Sequence, residues 1–282
     1  MGGRLARILA VFFFICGPLS LASTARAQQP SAQSPQWIAD WGERRCALMR
    51  SVPGDPPLTF SLRIIPGNPF PELLLVNPAW RQDPFPGTMP VRLVLLPGGE
   101  QVVGQGSVSH LEETGPRVLE VNEIPADFSD KLSAASAISI RIGRRELARV
   151  PTPQAAAAVH ALRECNDALL RAWGVDPAAI AALRNCPRPT MTGRWFSSED
   201  YPRTALRSAT SGLVTFRYSV AADGRVTDCA IVASSGNSDL DATTCRLFRR
   251  RATFLPAIGR DGQPTAATMV MSVTWIVPRS NP

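Results

Sequence analysis

The chain has 282 residues, of which 45% are hydrophobic and 19% charged, with a formal net charge of +7. This length and apolar share allow two ordinary domains with buried cores and exclude a disordered or fibrous chain. Positive charge raises nucleic acid as a partner, but the basic residues are nearly all arginine, with Lys131 the single lysine, and no basic and aromatic stripe stands out, so no nucleic-acid binding is expected.

Residues 1–27 have the parts of a secretory signal peptide: Arg4 and Arg7, an apolar run over Ile8 to Ile15, and a small-residue exit at Ala25-Arg26-Ala27. Gly17 and Pro18 break the run well short of the roughly 20 residues that span a bilayer. Cleavage between Ala27 and Gln28 is predicted, which places the protein in the periplasm; a retained segment would anchor it to the inner membrane instead. Residues 28–35 read as a disordered linker. Losing Cys16 with the signal leaves Cys46, Cys165, Cys186, Cys229 and Cys245, with no Cys-x-x-Cys spacing for zinc or redox chemistry. Disulfides are expected in an oxidising compartment, and the odd number leaves one thiol over.

Residues 36–185 read as an α+β domain with a mostly β body. A helix-compatible segment, Trp37 to Arg50, comes first. Strand-like runs follow at Leu58 to Ile65, Leu73 to Val76, Val91 to Leu96, Gln101 to Val108, Val118 to Val121 and Ile138 to Ile142, separated by Pro and Gly. Arg144-Arg145 marks a hairpin turn. Thr152 and Pro153 then supply an N-cap and first-turn proline for a long helix to Trp173, and Asp176-Pro177 repeats that signal for a helix ending near Asn185. A Cys46–Cys165 bridge would pin the first element to the long helix, worth roughly 4 to 5 kcal/mol by loop entropy. Cys186 is the alternative partner, although it abuts the proline run that opens a stiff linker over residues 186–194.

Residues 195–282 form a second domain. Asp200-Tyr201-Pro202 starts a short helix that ends at Ser211-Gly212. Gly212 to Val220 alternates with period two, placing Val214, Phe216, Tyr218 and Val220 on one face. Asp223-Gly224 turns the chain, and an even-length loop puts Thr227, Cys229, Ile231 and Ala233 on that same face. Ser238, three residues ahead of Asp241, is positioned to cap a helix with an apolar stripe of Leu240, Thr244, Leu247 and Phe248. This helix would cover the sheet and bring Cys245 to Cys229, predicting a bridge worth roughly 3 kcal/mol. Arg249-Arg250-Arg251 at its end reads as a solvated face. The last strand, Ala267 to Val277, sets Met269, Met271, Val273 and Trp275 against Val270, Ser272, Thr274 and Ile276.

No catalytic constellation stands out. His110 and His160 are the only histidines, and neither has companion ligands for a metal. Ser107 and Ser109 lack a Gly-x-Ser-x-Gly elbow, Glu112 and Glu113 are adjacent and point apart, and no glycine loop cradles a phosphate. The expectation is a non-enzymatic protein with no cofactor and no metal.

The ordered series Tyr201-Pro202, Ala205, Gly212, Val214, Asp223-Gly224, Val226, Ser234-Ser235-Gly236, Leu240-Asp241, Phe254, Pro256-Ala257, Gly262, Pro264 and Trp275 resembles the C-terminal domain of the TonB family. The resemblance implies a three-stranded antiparallel sheet packed with two helices. It also implies that the last strand, Met269, Val270, Met271, Ser272, Val273, Thr274, Trp275 and Ile276, lies at the sheet edge and binds an extended segment of an envelope protein, such as a TonB-dependent receptor, by strand addition. A homodimer through that edge, or cover by the first domain, is the alternative use of such a strand. The cleavable signal and the folded domain in place of a long spacer favour a periplasmic adaptor over an anchored energy transducer for outer-membrane transport.

Overall fold

In the computed structural model, the first half builds one antiparallel sheet from β1 (Ile38–Trp41), β2 (Cys46–Val52), β3 (Leu58–Ile64), β4 (Glu72–Val76), β5 (Met89–Leu96), β6 (Glu100–His110), β7 (Arg117–Asn122), β8 (Ala137–Ile142) and β9 (Arg145–Pro151). The described residues are 36–68, 70–80, 87–110, 116–190 and 195–277. The predicted signal with its cleavage site at Ala27 and Gln28, the linker 28–35, Glu112 and Glu113 lie outside them. The spatial order is β1-β2-β3-β4-β7-β6-β5-β8-β9. Period-two burial gives the sheet one apolar face: Leu48 and Val52, Phe60 and Leu62, Leu73 and Leu75, Val91 and Leu93, Leu119 and Val121, and Ile138 and Ile140 all enter one core.

Two glycines on β6 make room for side chains of the strands on either side of it. A Cβ on Gly104 would stand 2.6 Å from Val121 Cγ1, and one on Gly106 would stand 2.4 Å from Val91 Cγ2. The core is completed by α1 (Phe128–Ser133), which buries Phe128 and Leu132, and by α2 (Ala155–Ala172), whose Val159, Leu162 and Cys165 share a stripe. The Cys46–Cys165 disulfide ties β2 to that stripe across 119 residues of sequence, and Cys186 is an exposed free thiol.

The structure corrects several sequence expectations here. Trp37 to Arg50 is not helical. It forms β1, a turn and β2, because β2 pairs with β3 along its whole length from Cys46↔Ile64 to Val52↔Leu58 and buries Cys46, Leu48, Arg50 and Val52 at every second position. Long-range pairing overrides a local pattern that suited either structure. Thr152 does not cap α2; its hydroxyl donates to the Ala135 carbonyl at 2.7 Å, and the cap position falls on Gln154 at φ 56°. Asp176 does accept from the Ala178 amide at 2.9 Å, but α3 (Pro177–Ala181) stops short of Asn185. The chain instead leaves to bridge Ile258, with Arg184 and Asn185 both donating to its carbonyl.

The expected linker is partly structured. Arg188–Pro189 forms β10, paired with β13 (Phe254–Leu255), and the Thr190 amide donates to the Thr253 carbonyl at 3.0 Å. Residues 191–194 lie outside the described segments.

In the second half, β11 (Gly212–Val220) is central between β12 (Val226–Ala233) and β16 (Ala267–Trp275). The short strands β14 (Ala257–Ile258) and β15 (Pro264–Thr265) pair with each other. The short helix α4 (Arg203–Arg207) and the longer α5 (Ser238–Arg251) accompany the sheet, and the whole is α+β as expected. Asn237, not Ser238, caps α5, accepting from the amides of Asp239 and Leu240. Asp241 turns back instead to the Ser235 amide and hydroxyl.

Candidate functional site

The inner face of the C-terminal sheet carries an aromatic core. Phe216 and Tyr218 of β11 meet Phe248 of α5 at ring distances of 4.8 and 4.9 Å, and Trp195 and Phe254 close around the same ring. Burial in this core pushes the Tyr218 hydroxyl pKa strongly up. Cys229 and Cys245 are disulfide-bonded, joining β12 to α5 as the spacing predicted.

The expected partition of β12 holds only in part. A bulge opposite Ser219/Val220 makes Thr227 an extra residue, so Val226 pairs with Val220 and packs on the core while Thr227 is exposed. A second irregularity pairs Ala233 with Thr215, although Cys229 and Ile231 keep the inner face.

Strand β16 pairs with β11 without interruption, from Gly212↔Trp275 to Val220↔Ala267, and no other strand flanks it among the described residues. Its inner residues Met269, Met271, Val273 and Trp275 pack on the aromatic core. Trp275 meets Tyr201 and Phe196 edge to face and donates from Nε1 to Thr244 Oγ1 at 2.8 Å. On the outer face, Val270 is buried against Leu170, Trp173 and Val175, Ser272 meets Thr215 hydroxyl to hydroxyl at 2.9 Å, and Thr274 and Ile276 are exposed.

Contacts around β11 fix the direction of the β16 backbone. Arg44, from the β1–β2 turn, donates to the carbonyls of Leu213 and Ser234; Thr227 Oγ1 donates to the Ser219 carbonyl; and the Ala221 amide donates to the Arg225 carbonyl. The odd-numbered residues of β11 therefore face β12, and the even-numbered ones face β16. By the register, Met269, Met271, Val273 and Trp275 spend their amides and carbonyls on β11. Thr268, Val270, Ser272 and Thr274 turn theirs outward. The Val277 amide, donating to Ser211 Oγ at 3.1 Å, continues the same alternation.

A sheet in the order β12-β11-β16 packed with a helix, with β16 flanked by no further strand among the described residues, is the arrangement that the sequence resemblance implied. Residues 197–277 match the family model of the Gram-negative bacterial TonB protein C-terminal. No curated protein matches the chain. The match covers the second sheet together with α4 and α5, and the family it names is a protein-interaction domain.

The basic run at the end of α5 is not merely a solvated face. Arg251 grips the Asp200 carboxylate with both terminal nitrogens and reaches the Trp195 carbonyl, and Arg249 donates to the Cys229 carbonyl at 2.6 Å. The Arg251 guanidinium holds the Asp200 carboxyl down at about 2. These cations also suit the negative end of the helix dipole. Sequence reasoning missed them because their acceptors are far along the chain.

The other chemistry-bearing residues are dispersed. His160 is exposed on α2, with Nδ1 3.6 Å from Glu164, and His110 ends β6. Ser107 and Ser109 lie on β6, where Ser109 donates to Glu120 at 3.1 Å. Among the described residues no group of three or more His, Cys, Asp and Glu could hold a metal ion, and no helix is long and apolar enough to cross a membrane.

Proposed function

We propose that this is a periplasmic, non-enzymatic adaptor whose TonB C-terminal domain binds an extended segment of an envelope or outer-membrane protein by strand addition along β16. The observation that carries this reading is the outward backbone of an unflanked edge: the amides and carbonyls of Ser272 and Thr274 face away from β11, beside exposed Ile276. Such a row is what a guest strand pairs with, while flanking side chains select the guest.

Thr274→Pro in the full-length protein tests it. Thr274 turns its amide outward, so proline removes a guest hydrogen bond and leaves the β11 ladder whole. Envelope proteins retained by the wild type should be lost by this variant at unchanged melting temperature. Equal retention by both would refute pairing along this edge.

A further inference from the structure

The first half of the chain reaches the same edge. Ile65, Pro66, Gly67 and Asn68, between β3 and β4, form a turn closed by the Asn68 amide donating to the Ile65 carbonyl at 2.9 Å. Proline second and glycine third, the latter at φ 89°, are the residues a type II turn requires. This turn lies against β16. A Cβ on Gly67 would stand 2.1 Å from the Val270 carbonyl oxygen and 2.6 Å from its carbon. That oxygen is one of the outward-facing acceptors, so the turn occupies the space a guest strand would need opposite Val270.

Beyond the turn the edge opens again. A cleft of about 380 Å³ lies between Ile65, Pro66, Gly67 and Asn68 on one side and Leu213, Met271, Ser272 and Thr274 on the other. Leu213 and Thr274 are directly opposed in the β11–β16 register and share the outer face. The lining mixes aliphatic, hydroxyl and amide groups and carries no charge, so it suits small aliphatic or hydroxyl side chains and offers nothing to compensate a buried ion.

Resting on strand addition as the function, we propose that the Ile65–Asn68 turn is a built-in stop. It limits the guest to a short extended, uncharged segment that pairs with Ser272 to Ile276 and must bend away, or end, before Val270. At roughly 3.4 Å per residue the open stretch takes about five residues of strand. The N-terminal sheet is thereby part of the recognition site, setting the length and register that the TonB C-terminal domain accepts.

A length series tests the stop. Amidated peptides of alternating threonine and valine, four, six and eight residues long, are titrated into the full-length protein and into Gly67→Val, which cannot keep the turn against Val270. In the wild type the stop predicts less than about twofold gain in affinity from six to eight residues. In Gly67→Val, pairing extends to Val270 and Thr268, and the same step should gain roughly tenfold, as expected for one to two added hydrogen bonds. Affinity that climbs steadily with length in the wild type would overturn the stop while leaving strand addition intact. No binding of any peptide to either protein would overturn both. The wild-type series decides the question alone if the variant does not fold.

Discussion

The two halves are built on the same plan, a sheet covered by helices and pinned by one disulfide, with opposite means. The N-terminal core is mainly aliphatic, with Phe60 and Phe128 its buried rings, and gathers its strands over long sequence distances, with β4 beside β7 and β5 between β6 and β8. The C-terminal core is aromatic and local, with Phe248 ringed by Trp195, Phe216, Tyr218 and Phe254. One bridge spans 119 positions and the other 16. Each half is therefore vulnerable in its own place: the first to loss of its long-range clasp, the second to loss of a single ring.

The sharpest way to break this contrast is to replace both cysteines of one bridge with alanine. Loop entropy predicts that losing Cys46–Cys165 costs about 4 to 5 kcal/mol, and losing Cys229–Cys245 about 3 kcal/mol. Urea unfolding followed by far-UV circular dichroism would show the order, and a larger cost for the second pair would mean the first sheet holds without its clasp.

Next in size, Phe248→Ala should cost about 3 to 4 kcal/mol through the cavity it leaves, and should erase near-ultraviolet aromatic dichroism that a core leucine replacement such as Leu93→Ala spares. Thr244→Val is smaller. It keeps the volume but strands the Trp275 indole N–H, for a loss of about 1 to 2 kcal/mol seen as a lower melting temperature.

The smallest effect is a pH dependence that both halves share. Asp200 in the second and Glu146 in the first, the latter held by Arg149 and Ser139, each have a carboxyl pKa depressed to about 2. A carboxylate depressed in the folded state contributes stability above its unfolded pKa and loses it as pH falls through the folded value. Stability should therefore decline between pH 4.5 and 2. Asp200→Asn should flatten the C-terminal share, about 1 kcal/mol once solvent screening of half-exposed Arg251 is allowed for. A melting profile unchanged in slope would show that this pair adds nothing.

Much of the C-terminal half was legible from sequence because its signals are local. The alternation from Val214 to Val220, the Asp223-Gly224 turn and the Leu240–Phe248 stripe lie within one hairpin and one helix, and the Cys229–Cys245 bridge followed from them. The Thr227 bulge was not legible, since one inserted residue leaves no local mark. In the N-terminal half the strand runs were readable but their order was not, and Trp37 to Arg50 went wrong because β3 decides its conformation. The outward set of β16 residues needed Arg44, nearly 170 positions from the strand it caps.

The β10–β13 pairing has a practical consequence for anyone dissecting the protein. Arg188 and Pro189 belong to the second half by hydrogen bonding, and Val270 and Val232 are covered by Trp173 and Val175 of the first. A fragment started at Trp195 would shed a strand and bare an oily patch on the outer sheet. Whatever then adhered to it on a column could reflect that fresh wound rather than biology, so dissection is better done by point substitution in the intact chain.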